Sequence, residues 1–388
     1  MVQDKPLSGI RVIEHAAGVA GAWAGRLLSA MGADVVMVEP PSLCPLRRRA
    51  PLLEDGSSAL FAYLAAGKGS VICDLDRAEG RAEMAALLEG AQMLIDDSPV
   101  AARGALGLDP EAIRARFPEI VHLSVLPFGA VGPKAGWGAE EINLVHAGGE
   151  GFLLPNGLSV DLFPDRPPLK IAGHFAEMQG GVAAALAGLA ALWSGEGQLV
   201  DASVQDANVA VGAFALQRLG DGSVEHRHSR SFRYGGVIEC RDGYVELLML
   251  EERQWQGLVK LMGHPDWAAD PGLGDPAERS ARGAEINLRI RSWARDQPVD
   301  SLVARAQELG VPMARYSRPA QILGGAHEVA RGTFAAVPGH PGLRIQPAPF
   351  RFAEVPLSLD AGPPAPGQDQ PSADDAVTDR LTDGRVTA

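Results

Sequence analysis

The residues with the clearest chemical potential lie where a polar stretch meets an alanine-rich segment. His174 and Glu177 stand at the start of residues 177–192, which are mostly Ala, Gly, Val and Leu. An acid in the first turn of a helix stabilises the helix dipole, which is a purely structural role. The functional role is that of a nucleophilic or basic carboxylate, with helix-start N–H groups near the developing charge. The pattern alone leaves both roles open.

A second acidic spot, Glu140 and Glu141, precedes Ile142 and Asn143. Adjacent acids at a helix start are commonly partners of the dipole, but they can also hold or polarise a substrate acyl group. The sequence contains no H-E-x-x-H, paired C-x-x-C, P-loop or G-x-S-x-G motif. The charges around His226 and His228 favour an exposed linker over a ligand pair. We therefore predict no metal site.

Composition and charge exclude several classes of protein. The chain has 48 acidic and 35 basic residues and a formal net charge of −13, whereas a nucleic-acid-binding protein needs a basic face. The three cysteines have no metal or redox spacing, and residues 1–7 lack an apolar signal segment. The apolar run 182–193 is shorter than the roughly 20 residues that span a bilayer. We expect a cytoplasmic protein without nucleic-acid or membrane partners.

The elements that must position these groups alternate between strand and helix. Residues 10–14, an alanine-rich stretch at 20–31, a glycine and residues 35–39 form a βαβ unit. The second of these strands is apolar on both faces, which is typical of a parallel sheet covered on both sides. An α/β fold is predicted, with further strands at 70–75, 93–96, 120–126 and 199–204 and helices at 79–90, 110–116, 177–192 and 205–219. The helix at 177–192 is apolar nearly all round and is therefore predicted to be buried.

A change of pattern after residue 220 indicates a second domain. Residues 220–233 are polar and irregular, and residues 237–249 are predicted to form a hairpin with a glycine-containing loop. Helices are predicted at 252–262, 281–296 and 299–309. We therefore expect a large domain of residues 1–222 plus 323–388 and a small α+β domain of residues 223–322. The tail beyond residue 359, rich in Pro, Asp, Ser and Gly, is predicted to be extended or loose.

Several separate segments, spread over nearly the whole chain, match one family in order. They are residues 7–14 (LSGIRVIE), 27–40 (LLSAMGADVVMVEP), 67–75 (GKGSVICDL), 106–108 (LGL), 128–133 (FGAVGP), 197–203 (GQLVDAS), 242–245 (DGYV) and 364–367 (PAPG). The sequence resembles the family III CoA-transferases, which include formyl-CoA and carnitine CoA-transferases and the α-methylacyl-CoA racemases. The resemblance implies a Rossmann-like large domain, a small domain, and an intertwined homodimer whose rings interlock.

The resemblance also implies the position of the nucleophile. In the family this residue is an aspartate shortly before the alanine-rich helix, and counting back from residues 189–192 places it at Glu177. Alignment on Gly173 would instead place it at His174, so we choose the register that puts a carboxylate at the site. A coenzyme A thioester is then a substrate, and no permanently bound cofactor is expected.

The family's contacts to coenzyme A imply further candidates. Lys68 matches a phosphate contact, and three arginines could substitute for it through charge-assisted contacts. The family's neutral amide in the next stretch is replaced by Asp97. Two glycines of the small domain are expected to cover the anhydride. The predicted coenzyme A contacts are Lys68, Arg47, Arg48, Arg103, Ala20 and Asp97, and the covering loop is Gly235 and Gly236.

The sequence thus predicts an enzyme that moves coenzyme A between small carboxylic acids. An acyl anhydride and then a coenzyme A thioester would form on Glu177, with His174, Glu140 and Glu141 lining the acyl site. The first alternative is an acyl-CoA racemase or epimerase in which Glu140 and His174 form an acid/base pair. The second is a non-catalytic family member that keeps the dimer and a pocket for coenzyme A.

Overall fold

The computed structural model describes residues 4–154, 171–212 and 234–370. The chain divides into two compact units. Unit 1 comprises Met1–Gly149, Ile171–Ala213 and Val329–Ala388, and unit 2 comprises Glu150–Lys170 and Phe214–Glu328. The large unit is thus built from both ends of the chain, with inner boundaries at 213 and 329 where 222 and 323 were predicted, and the segment that begins at residue 150, predicted for the large domain, belongs to unit 2. The predicted crossing at 220–233, with His226 and His228, lies outside the described residues, as does the tail beyond residue 370.

A six-stranded parallel sheet forms the centre of unit 1. Its strand order is β3-β2-β1-β4-β5-β6, the order of a Rossmann-like doubly wound sheet. Strand β1 pairs with β2 on one side and β4 on the other, so the direction of sheet growth reverses there. A crevice opens beyond the carboxyl ends of strands at such a point. The strands are β1 (Arg11–His15), β2 (Asp34–Glu39), β3 (Gly69–Ile72), β4 (Met93–Asp96), β5 (Val121–Leu126) and β6 (Gln198–Ser203).

Helices cover both faces of this sheet because successive strand residues point to opposite sides. In β1, Val12 joins one buried apolar cluster and Ile13 joins another. In β4, Ile95 and Leu94 divide in the same way. The helices of unit 1 are α1 (Val19–Ala30), α2 (Ala59–Ala65), α3 (Ala78–Leu88), α4 (Val100–Leu106), α5 (Pro110–Arg116), α6 (Glu141–Ala147), α8 (Phe175–Ser194) and α9 (Val204–Val211).

Helix α8 carries the candidate nucleophile in its first turn. It has 20 residues and is apolar enough to cross a membrane by length and composition alone, yet one face packs on α1 and the sheet. The packing is close, since a Cβ on Gly181 would lie 2.6 Å from the carbonyl oxygen of Ala20. The opposite face carries Leu186 and Trp193, and Trp193 is 93% exposed. The predicted all-round burial of this helix is therefore wrong for the described part of the single chain.

Unit 2 contains an antiparallel sheet in the order β7-β8-β9. The predicted hairpin is confirmed, because β7 pairs with β8 around a turn that ends at Gly243. The elements are α7 (Glu150–Leu153), β7 (Gly236–Cys240), β8 (Gly243–Leu247), α10 (Glu252–Leu261), α11 (Pro276–Ala281), α12 (Gly283–Ala294), α13 (Val299–Glu308), β9 (Met313–Arg315) and α14 (Pro319–Leu323). Helix α15 (Ala326–Arg331) follows, and then the strands β10 (Ala335–Val337) and β11 (His340–Ile345) of unit 1.

The last described residues, 364–370, lie along the edge strand β3. The Asp369 N–H donates to the carbonyl oxygen of Ser70 at 2.9 Å, and the Ser70 N–H donates to Asp369 Oδ2 at 2.8 Å. The Ile72 N–H donates to Gln370 Oε1 at 2.9 Å. These bonds satisfy backbone N–H and C=O groups on the free edge of β3, which could otherwise pair with another strand. The tail beyond residue 359, predicted to be extended or loose, contains no helix or strand up to residue 370 but is anchored there by these bonds.

Candidate active site

A cavity of about 310 Å³ lies at the crevice of unit 1. It is bounded by the loop after β1, the residue after β4, and the starts of α1, α6 and α8. The ionisable side chains among the described residues that line it are Arg49, Asp97, Glu140 and Glu177. The cavity thus forms where doubly wound sheets bind their ligands, and it contains the predicted nucleophile.

Glu177 lines this cavity and forms a hydrogen bond with His174, which was predicted to line the acyl site but is not among the residues that line the cavity. His174 precedes α8, so the three-residue spacing brings both side chains to one face of the first turn. His174 Nδ1 lies 2.6 Å from Glu177 Oε2, and the glutamate side chain is 11% exposed. The imidazole therefore holds the carboxylate in one orientation while leaving it in contact with the cavity.

Glu141 supports α8 from behind. Its Oε1 accepts the Ala176 N–H at 2.9 Å, and its Oε2 accepts the Glu177 N–H at 3.0 Å. The first N–H groups of a helix have no partner within the helix, and this buried carboxylate satisfies two of them. Two predictions need correction. Glu141 is not among the residues that line the cavity, and these helix-start N–H groups are already bonded, so they do not face the site as free donors.

Glu140 is the N-terminal capping residue of α6 and does line the cavity. Its backbone N–H donates to Asn143 Oδ1 at 2.9 Å, and its Oε2 accepts from Arg49 Nη2 at 3.2 Å. His174 is bonded to Glu177 instead. The role of Glu140 and His174 as an acid/base pair stays a prediction, and each side chain is bonded to another partner in the single chain.

Asp97 fastens the loop between β1 and α1. Its Oδ1 accepts the Ala17 N–H at 3.0 Å, and its Oδ2 accepts the Gly18 N–H at 2.7 Å. Burial raises the pKa of Asp97 above its usual value, although these N–H groups act in the opposite direction. A Cβ on Gly18 would lie 3.0 Å from Oδ2, so glycine leaves room for the carboxylate. The loop donors that bind a phosphate in many sheets of this type bind this carboxylate here.

Two of the cations predicted to bind phosphate are enclosed in the fold. The Lys68 side chain is 0% exposed, and its Nζ lies 2.8 and 2.6 Å from the two carboxylate oxygens of Glu14. Arg103 is buried with its Nε 3.0 Å from Asp96 Oδ2. Both predictions need correction, because neither cation faces the cavity and each stabilises a buried carboxylate.

The three consecutive arginines point to three different surroundings. Arg47 binds Glu39 through two contacts of 2.6 and 2.7 Å, Arg48 is exposed, and Arg49 lines the cavity. A 3-10 turn over Pro45–Arg48 separates them, because its three residues per turn send neighbours in different directions. Sequence reasoning chose Arg47 and Arg48 as ligand contacts and missed Arg49, since the triplet alone does not tell which member faces a cavity.

The buried carboxylates next to these cations have shifted acidities. Burial raises the pKa of Glu14 to about 7 against the attraction of Lys68. Burial alone would raise the pKa of Asp96 as well, but hydrogen bonds from His122 and His15 hold it well below its usual range. Glu14 belongs to β1 and Asp96 is the last residue of β4, the two strands after which the chain reaches the cavity.

The remaining predicted site residues fall on both units. Ala20 lines the cavity as a small wall residue. Gly235 and Gly236 belong to unit 2 and have φ values of +107° and +80°, in the region that favours glycine. The Gly235 N–H donates to Asn287 Oδ1 at 2.8 Å within that unit. Their role as a cover for the anhydride stays a prediction.

Comparison with known proteins decides the family. The model of CoA-transferase family III matches residues 7–370. This chain belongs to that family. Among its relatives, a probable CoA-transferase of Mycobacterium tuberculosis is 31% identical over 89% of this chain, which spans 44% of that protein. The succinyl-CoA–D-citramalate CoA-transferase of Chloroflexus aurantiacus is 27% identical over 94% of this chain and 92% of its own length.

Solved structures agree with this assignment. The crystal structure of a CAIB/BAIF family protein from Brucella suis superposes with a TM-score of 0.84 at 26% identity, covering 98% of this chain and all of that one. Family membership supports the transfer of coenzyme A as the general activity of this chain. The α/β fold with its parallel sheet is the fold of this family.

Proposed function

We propose that this family member transfers coenzyme A from an acyl-CoA to a second carboxylic acid, with Glu177 as the covalent nucleophile. One observation carries the proposal. A carboxylate held by an imidazole at 2.6 Å stands at the wall of the crevice cavity, in the first turn of α8. Carboxylates serve as nucleophiles in acyl transfer when they are held in position for attack.

The reaction runs through two kinds of intermediate. A Glu177 oxygen attacks the thioester carbonyl and expels the coenzyme A thiolate, which leaves a mixed anhydride. The thiolate then attacks the Glu177 carbonyl of the anhydride, which releases the first acid and leaves a glutamyl thioester. The second acid attacks that thioester to give a new anhydride and free thiolate. Attack of the thiolate on the substrate carbonyl forms the new acyl-CoA and restores Glu177.

The neighbouring residues prepare this carboxylate for attack. His174 Nδ1 fixes one oxygen of Glu177 and leaves the other for the thioester carbonyl. Glu141 fixes the backbone of the same turn through two N–H groups. A displacement of about 1 Å in such a site costs on the order of 100-fold in rate, so both residues are positioning residues. We place the thioester end of coenzyme A against Ala20 and Asp97, because both residues line the cavity beside Glu177.

The active protein is a homodimer. The support for this is the uncovered apolar face of unit 1, where Leu186, Trp193 and Leu199 are exposed in the single chain. Large exposed apolar patches are typical of protein interfaces. The interlocked arrangement implied by the resemblance requires such a contact. Light scattering on the purified protein tests whether its mass is that of a dimer.

Covalent trapping tests the nucleophile. The protein is incubated with an acyl-CoA, quenched with hydroxylamine or borohydride, and analysed by mass spectrometry of the peptide that contains Glu177. We expect a hydroxamate or an alcohol at this residue in the wild type and none in Glu177→Gln. Glu177→Asp serves as the matched control, since it keeps the carboxylate and shortens its reach by one methylene group.

Covalent trapping, combined with a measurement of α-proton exchange in deuterated water, separates the alternatives. An acyl-CoA racemase would exchange the α-proton of the substrate with deuterated water and give no adduct. A non-catalytic member would give neither an adduct nor exchange, and Glu177→Gln would then behave like the wild type. Either result would contradict the proposed transfer.

A further inference from the structure

The cavity has an unequal charge composition. Three of its four ionisable lining groups are the carboxylates of Asp97, Glu140 and Glu177. Arg49 is the one basic side chain among the described residues that line it. An acid that enters this space as an anion meets three groups of like sign, and a guanidinium is the group best suited to offset them.

The backbone on both sides of Arg49 is held in place. Ser58 Oγ donates to the Arg49 carbonyl oxygen at 2.5 Å, and the Arg49 N–H donates to the Leu46 carbonyl oxygen at 3.2 Å. Two residues before it, Arg47 is bound by both oxygens of Glu39. The guanidinium of Arg49 therefore projects from a fixed segment into the cavity.

The present partner of Arg49 is easily exchanged. Glu140 Oε2 lies 3.2 Å from Arg49 Nη2, and the two side chains are 75% and 35% exposed. Ion pairs that are exposed to this degree contribute little because water screens them. An incoming carboxylate can take the place of Glu140, which then turns to solvent, and a guanidinium can bind that carboxylate through two parallel N–H···O bonds.

We propose that Arg49 binds a second carboxylate of the substrate acid, so that the acids used by this site are dicarboxylic. The inference rests on the proposed function, in which the first carboxylate of the acid reacts at Glu177. The substrate would lie across the cavity, with its reacting end at Glu177 and its distal end at Arg49. A monocarboxylic acid of the same length gains nothing at Arg49 and still meets the acidic wall.

A pair of acids with equal chain length tests this proposal. Succinate and butyrate are titrated into the full-length protein by calorimetry, with the wild type, Arg49→Gln, Arg49→Lys and Arg48→Gln compared. We expect Arg49→Gln to weaken succinate binding about 10- to 100-fold, or about 1.4–2.8 kcal/mol at 1.4 kcal/mol per tenfold change. Butyrate binding should change less than about threefold, because no Arg–carboxylate bond is lost.

The other variants separate charge from geometry. Arg49→Lys keeps the charge and loses the planar fork, so succinate binding should fall between the wild type and Arg49→Gln. It also serves as the test variant if Arg49→Gln fails to fold. Arg48→Gln removes the same charge one residue away, and succinate binding should stay unchanged. Glu140→Gln frees Arg49, and binding should become equal or tighter.

Several outcomes would overturn the inference. The first is a wild type that binds succinate no more tightly than butyrate, and the second is an equal loss of affinity for both acids in Arg49→Gln. The third is a loss of succinate affinity in Arg48→Gln, or in Glu140→Gln, as large as that in Arg49→Gln. Trapping at Glu177 is measured on the same samples. Arg49-dependent succinate binding without an adduct would reject the transfer chemistry and leave the dicarboxylate site standing. An adduct without Arg49-dependent succinate binding would reject the dicarboxylate site and leave the transfer chemistry standing.

Discussion

Replacement of Lys68 by methionine distinguishes a structural cation from a ligand contact. All three donors of Lys68 Nζ have partners, namely the two oxygens of Glu14 and the carbonyl oxygen of Ala22. Both side chains of the ion pair are fully buried. Lys68→Met keeps most of the volume and leaves the Glu14 carboxylate without its counter-charge. We therefore expect a large loss of stability and only a secondary effect on the binding of coenzyme A.

The size of the loss follows from known costs. Removal of one partner from a buried ion pair costs about 3–5 kcal/mol. Since 1 kcal/mol shifts the melting temperature of a domain of about 150–250 residues by about 2–4 °C, the variant should melt roughly 6–20 °C below the wild type. The double variant Glu14→Gln/Lys68→Met removes both charges and should recover most of this difference. Scanning calorimetry at fixed protein concentration measures all three proteins.

The loss should also depend on pH in a definite direction. The pKa of Glu14 is raised to about 7 by burial even with Lys68 present, and removal of Lys68 raises it further. A folded-state pKa above the unfolded value means that the folded state binds more protons, so stability falls as the pH rises through the folded pKa. Lys68→Met should therefore be closest to the wild type near about pH 6 and furthest from it near about pH 8.

One pattern of results would refute this reasoning. If Lys68→Met kept the wild-type melting temperature across this pH range but bound coenzyme A much more weakly, the lysine would be a ligand contact, as the family resemblance implied. Recovery in the double variant would be absent in that case.

Three further predictions concern α8, α1 and the exposed face. Glu141→Ala frees the N–H groups of the first turn of α8. It should slow adduct formation on the order of 100-fold in quenched-flow mass spectrometry, and an unchanged rate would contradict its positioning role. Gly25→Ala places a Cβ 1.7 Å from Glu14 Oε2 and should cost at least about 1–3 kcal/mol in thermal unfolding. Gly104→Ala in α4 meets open space and should be neutral or stabilising. Trp193→Glu tests the proposed homodimer, because it should halve the mass seen by light scattering, whereas an unchanged dimeric mass would place the interface elsewhere.

The central strands of the sheet could be predicted from the sequence because they are buried on both faces. Short runs rich in apolar residues predicted β1, β2 and β5 to within one residue at each end, as expected for strands of a covered parallel sheet. Burial of α8 was overpredicted for a related reason. A helix that is apolar all round can be covered by its own chain or by another one, and composition does not distinguish the two.

Contacts between residues of the site that are close in sequence could also be predicted, whereas contacts between residues far apart in sequence could not. His174 and Glu177 lie within one helical turn, so their spacing predicts the pair. Glu141 contacts the same turn from 35 and 36 residues away in sequence, and Arg49 meets Glu140 across 91 residues. Such contacts depend on how helices and loops pack. The prediction of Lys68 as a phosphate contact was wrong for the same reason. A lysine is seldom buried unless an acid pairs with it, and its partner Glu14 is 54 residues away in sequence.

The attachment of residues 364–370 to β3 has a consequence for how the chain matures. Ser70 and Asp369, whose bond completes that edge, are 299 residues apart, so all the residues between them are synthesised before this edge of the sheet is covered. Until then one row of N–H and C=O groups can pair with a neighbouring nascent chain. Truncation before residue 364 should therefore give protein that associates through β3, and restoring this short segment as a separate peptide should suppress the association.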